Sequence, residues 1–175
     1  TIEQYYLKHD DLKHYFQLKE LVIYIQASSG QLTQATALSQ QLLAKAREMD
    51  YTPGMALAHF ATGDVYLNGN MLSEALLAYQ EAGRLIAPCQ GMDNVKELVM
   101  MQQIPLLLRM GATSDVERCL DDMKSLYTHY QPHLNPFLYY YFRTYLLTSL
   151  GQTDEAERNL QQADSLFAQK PSTYY

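Results

Sequence analysis

Four turn residues recur at a near-constant interval: Gly30, Asn70, Gly111 and Gly151 stand 40, 41 and 40 residues apart. Gly and Asn tolerate the left-handed conformation that ends a helix. Three residues beyond each stands Thr33, Ser73, Ser114 or Asp154, all good N-caps, whose side-chain oxygen accepts from a free N–H of the first turn. Behind two of them, Glu117 and Glu157 stand at the spacing of a capping box. Helix–turn–helix junctions at a fixed period mark a repeat array.

The segments between these turns have helical rather than strand periodicity. The second helices carry apolar stripes at spacings of three and four, which lie on one helix face. They read Ala35, Leu38, Leu42 and Met49; Ala75, Leu76, Tyr79, Ala82, Leu85 and Ile86; Val116, Leu120, Met123 and Leu126; and Ala156, Leu160, Ala163, Leu166 and Phe167. Ala35, Ala75 and Ala156 sit just inside their helices, where a missing side chain lets the paired helix come close. "YTPG" gives Thr52 as a cap and Pro53 at the first helical position, and "LNPF" gives Asn135 and Pro136 the same roles. In "CQGMDN", Gly91 is a helix breaker and Asp93 caps the next helix. The pattern predicts an all-α chain with helices near 10–29, 33–49, 53–68, 73–87, 93–110, 114–129, 136–150 and 154–169. These form one array over residues 1–175, with units near 10–50, 51–90, 91–131 and 132–170. Residues 1–9 read as the remnant of a preceding helix.

Composition supports a packed domain without extreme charge. Of the 175 residues, 47% are apolar, 18% are charged, and the net charge is −6. Without a Lys/Arg-rich run, the basic footprint of a nucleic-acid binder is missing. No run approaches the ~18 apolar residues of a membrane span. The opening "TIEQYYLKHDD" has neither an initiator Met nor a signal-peptide core. It reads as an excised or processed piece, with targeting segments or spans outside it. Cys89 and Cys119 form no CxxC pair or disulfide framework. They read as two buried thiols, with a single bridge as the alternative, and the redox compartment stays open.

The search for catalytic chemistry gives little. The sequence has no HExxH, Gly-rich phosphate loop or GxSxG. His129 and His133 in "HYQPH" are four apart, but Pro132 intervenes and no Cys or carboxylate cluster joins them, so a loop is the better reading than a metal site. Asp10–Asp11 and Asp121–Asp122 are sequence neighbours, which diverge on a helix and read as solvated charge. Pro105, inside a helical stretch, removes an N–H and frees the carbonyl of Met101. No cofactor, metal or catalytic residue is expected.

The second unit, "ALAHFATGDVYLNGNMLSEALLAYQEAGRLIAP", resembles a tetratricopeptide repeat (TPR). Gly63 and Tyr66 match the Gly and Tyr of W-x2-L-G-x2-Y, Ala75 and Ala82 match its later alanines, and Pro88 stands near its proline. Tyr79 replaces the Phe, while His59 and Thr62 replace the Trp and Leu. The fourth unit keeps Tyr140, Gly151, Ala156, Leu160 and Ala163; the third keeps Gly111 and Leu120; the first keeps Gly30 and Ala35. The family period is 34 rather than 40.

The resemblance implies stacked helix pairs in a right-handed superhelix whose groove is lined by the first helix of each unit. Carried over by register, the groove positions are Glu20, Tyr24 and Ser28; Phe60, Asp64 and Asn68; Met101, Pro105 and Arg109; and Tyr141, Tyr145 and Ser149. The foremost are Tyr24, Phe60, Asp64, Asn68, Met101, Arg109, Tyr141 and Tyr145. The Lys/Asn clamp for acidic tails does not appear, since Glu20 and Tyr24 stand there. An aromatic and polar mixture suits a peptide or a partner helix.

The expected function is a non-catalytic protein- or peptide-binding scaffold. Its style is similar to the sensory repeat regions of bacterial sensor kinases and related transcription regulators. A periplasmic sensor region is favoured over a cytoplasmic one. The alternative is an oligomerisation module of a larger regulator, joining copies through the array ends. Neither nucleic acid nor membrane is an expected partner of this segment.

Overall fold

The computed structural model describes residues 2–129 and 136–169, apart from the side chains at 129 and 167–169. Among the described residues every regular element is helical. In chain order these are α1 Ile2–Lys8, α2 Leu12–Ser28, α3 Leu32–Glu48, α4 Thr52–Asn68, α5 Leu72–Ile86, α6 Asp93–Arg109, α7 Thr113–His129, α8 Phe137–Ser149 and α9 Thr153–Gln169. The helices pack in consecutive pairs, as an all-α helical repeat requires.

One backbone device sets the repeat length. At the α2–α3 turn, Gly30 is left-handed at φ 79°. Its N–H donates to Ala27 O at 3.0 Å, and the Gln31 N–H donates to Gln26 O at 2.9 Å. Gln31's own carbonyl then accepts from the Ala35 N–H at 3.0 Å and opens α3. A single residue thus closes one helix with its N–H and starts the next with its C=O, satisfying orphan groups at both ends. The same three bonds recur with Asp10 and Asp11, Asp50 and Tyr51, Asn70 and Met71, Gly111 and Ala112, and Gly151 and Gln152. A three-residue turn plus a helix of 17 residues, the length of α2, α3, α4, α6, α7 and α9, gives 20 residues per helix. Two such helices make the 40-residue period. The one interval of 41 contains the shorter α5, of 15 residues, and the longer link through Gly91.

This device corrects the expected caps. Thr33, Ser73, Ser114 and Asp154 lie inside the first turn of helices that begin at Leu32, Leu72, Thr113 and Thr153. Gln31 and Met71 hold the cap positions without any side-chain bond. Thr52 is likewise the first residue of α4, after Tyr51. Glu117 and Glu157 therefore lie too deep in α7 and α9 for a capping box. Asp93 opens α6, with the Met92 carbonyl accepting from Val95 and Lys96. Of the "LNPF" pair, Pro136 is the residue before α8, and Asn135 lies outside the described residues.

The chain divides into two compact parts, residues 1–99 and 100–175. In the first, α4 packs against α2, α3 and α5. It is accordingly apolar almost all round: Gly54, Ala56, Leu57, Ala58, Phe60, Ala61, Gly63 and Val65 are all buried. Gly63 lies against the Tyr79 ring, so a Cβ there would collide with it. Ala75 and Ala82 are fully buried on the facing side of α5. Phe16 and Ile23 of α2 and Ala35 and Leu42 of α3 complete this core.

The second part packs α8 against α7 and α9. Its core contains the expected α7 stripe Val116, Leu120, Met123 and Leu126, with Tyr139, Phe142, Leu146 and Leu147 of α8. On α9, Ala156 and Ala163 are buried as expected, but Leu160 is exposed. The buried position beside it belongs to Asn159, whose Nδ2 donates to Tyr140 O at 2.7 Å and Thr144 Oγ1 at 2.8 Å. The cysteines are free, Cys119 buried and Cys89 only partly so.

Candidate functional site

The expected groove positions fare differently in the two parts. In residues 100–175, Tyr141 and Tyr145 are 50% and 59% exposed. Four residues apart on α8, they stand one above the other on one face. The Tyr141 ring stacks on Phe137, one turn earlier, at 6.3 Å between centroids. The tyrosines form a ridge between two clefts. One, of ≈ 410 Å³, is lined by Phe137, Tyr141, Thr144, Tyr145, Leu160 and Ala163, among others. The other, of ≈ 320 Å³, is lined by Pro105, Leu108, Arg109, Tyr141, Phe142 and Tyr145. Pro105 and Arg109 are exposed on α6, Ser149 is exposed beside the first cleft, and Met101 is partly buried.

The scaffold under this ridge is polar and well bonded. Arg143 donates to Tyr139 Oη at 2.7 Å and to Glu155 at 3.0 Å. Thr144 and Thr148 bond back to the carbonyls four residues earlier, both at 2.8 Å. Of these bonds Arg143–Glu155 runs from α8 to α9, and with the two Asn159 bonds it fixes the rotation of α8 against α9, and so the direction in which the tyrosines project.

In residues 1–99 the corresponding positions turn inward. Phe60 is 5% exposed, its ring 5.4 Å from that of Tyr79. Asp64 is 1% exposed and accepts from the Tyr79 hydroxyl at 2.7 Å. Neither can line an open groove, because α2 and α5 cover the face of α4 that holds them. Glu20 is partly buried, whereas Tyr24, Ser28 and Asn68 are exposed. Asn68 donates to the Asp64 backbone carbonyl at 2.9 Å.

Burial pushes the Asp64 carboxyl up to about 6, against the Tyr79 hydrogen bond that pulls it down. Burial, then the Asp64 charge, pushes Glu20 up to about 7. The Tyr79 hydroxyl is pushed far up, by burial first and the Asp64 charge second, so it stays a donor. Burial also holds His59 below the ordinary histidine range.

The register missed Leu108, Phe137 and Leu160 as lining residues. Phe137 lies one turn before Tyr141 and could have been found by that spacing. Leu160 could not, because its i, i+4 relation to Ala156 fits a packing stripe equally well. His133 and the side chain of His129 lie outside the described residues. Among the described residues no group of three or more His, Cys, Asp or Glu is placed to hold a metal, and no helix is long and apolar enough to cross a membrane. No known family model matches the chain, and no curated protein matches it.

Proposed function

We propose that this chain is a non-catalytic scaffold that binds a peptide or a helix of a partner protein through the tyrosine ridge of α8. The observation that carries the reading is the pair Tyr141 and Tyr145, exposed on a bonded helix and shared by two clefts. Aromatic side chains with Arg are the usual anchors of protein interfaces, since they bury large area at small entropic cost. Arg109 beside the second cleft adds a cationic contact at its rim. The wider role, as the sensory or interaction part of a bacterial signalling or regulatory protein, rests on the resemblance of residues 56–88 to a tetratricopeptide repeat. No nucleic-acid contact and no cofactor belong to it.

The test is selection of random displayed peptides on the 175-residue chain, followed by calorimetry. Tyr141→Ala with Tyr145→Ala is expected to weaken a selected peptide at least about tenfold, as loss of two aromatic anchors does. Unchanged affinity removes the assignment.

A second reading, self-association, is favoured by α2, where Leu21, Tyr24 and Ile25 are all exposed on one face. Light scattering over a concentration series separates the two. A monomer at all concentrations excludes the second reading; a concentration-dependent mass abolished by Leu21→Lys supports it.

A further inference from the structure

Asp64 and Tyr79 form a buried polar pair inside the residue 1–99 core, with the partly buried Glu20 close enough to feel the Asp64 charge; the ridge on α8 uses none of the three. Asp64 comes from α4, Glu20 from α2 and Tyr79 from α5, so the cluster lies where α4 meets two of its neighbours. The Tyr79 hydroxyl satisfies Asp64 Oδ1 at 2.7 Å. Asp64 Oδ2 is buried and has no hydrogen-bond partner. The charges around it are few. From α2, Glu20 is the acidic neighbour and Tyr24 acts on the Tyr79 hydroxyl through space; from α5 comes Tyr79 itself. Lys19, next to Glu20 in sequence, is engaged at 2.8 Å with Glu3 of α1. The Arg47 of α3 and the Glu81 and Arg84 of α5 act on His59, elsewhere on α4. Among the described residues neither carboxyl therefore meets a cation, and Glu20 lies in the field of Asp64.

We propose that Glu20 and Asp64 form a proton-operated switch, in which protonation lets α2 and α5 close on α4 and loss of the protons loosens that contact. The occupant of this site is a proton rather than a metal or a partner's ammonium group, because Asp64 Oδ2 has no access from solvent and a charged carboxylate there lacks the solvation it needs, the more so with the partly buried Glu20 charged beside it. Both carboxyls are raised, to about 6 and about 7, in keeping with this.

The sign comes from proton binding. A raised folded-state carboxyl holds protons that the unfolded chain has released, so stability is full below about pH 4, falls as pH rises through the folded-state values, and levels off above about pH 8. His59, held low, acts in the opposite sense below its ordinary value, so the comparison is made between variants at each pH.

The experiment is thermal unfolding of the 175-residue chain from pH 5 to pH 8.5, with carboxyl carbon NMR of the wild type. Wild-type Tm is expected to fall by roughly 5 °C more across that range than the Tm of Glu20→Gln or Asp64→Asn. In the NMR titration, two side-chain carboxyls should titrate between about pH 5.5 and 7.5 and be assigned to Glu20 and Asp64. Parallel Tm curves for wild type and Glu20→Gln would overturn the switch. If the Asp64 variant fails to fold, the NMR titration decides: both carboxyls titrating near pH 4 overturns the proposal.

Discussion

The two parts of the chain use the same register to opposite ends. At the positions carried over as a groove, residues 1–99 place Phe60 and Asp64 in the interior, while residues 100–175 place Tyr141 and Tyr145 in water. The difference lies in the helix that bears them. α4 is flanked by α2, α3 and α5 and is apolar nearly all round. α8 has a buried face of Tyr139, Phe142, Leu146 and Leu147 and an open face of tyrosines. Register tells which residues share a face; the neighbours decide whether that face is closed.

The largest effect should come from opening the closed face. Tyr79→Ala removes a fully buried ring and the donor to Asp64, at a cost of about 4 kcal/mol, read as a drop in denaturant midpoint. Gly63→Val drives methyl groups into the Tyr79 ring and should cost about 3 kcal/mol in the same measurement. Tyr79→Phe keeps the ring and strips the hydroxyl from Asp64. It should cost about 2 kcal/mol at pH 8, where the carboxylate is charged, and less at pH 5, where it is largely protonated. A pH-independent cost would show that the hydroxyl serves packing alone. Gly151→Ala forces a Cβ into a left-handed turn and should cost about 1 kcal/mol. The smallest effect belongs to the open face: Tyr141→Ala and Tyr145→Ala should each change stability by less than about 0.5 kcal/mol. A cost comparable to that of Tyr79→Ala would erase the contrast between the two faces.

Much of the fold was legible because turn chemistry is local. Gly30, Asn70, Gly111 and Gly151 all adopt the left-handed conformation that their spacing implied. The turns at Asp10 and Asp50 escaped notice because Asp adopts that conformation less often than Gly, though Asp10 stands 20 residues before Gly30 and Asp50 midway between Gly30 and Asn70. The caps were misplaced because a residue such as Gln31 serves two helices through its backbone alone, which leaves no side-chain signature. The site was half legible. Tyr141, Tyr145, Pro105 and Arg109 line clefts. Phe60 and Asp64 do not, and nothing in "HFATGD" reveals that α2 and α5 close over them. Asp64 in particular reads as a surface acid until the Tyr79 hydroxyl, 15 residues away, is seen to meet it.

The central claim is that recognition takes place on the open face of α8 and not on α4. Hydrogen exchange of the chain, with and without a saturating selected peptide, measures this directly. The account predicts new protection in α8 and the C-terminal half of α6, with α4 unchanged. Protection confined to residues 52–68, with α8 exchanging as before, would contradict it.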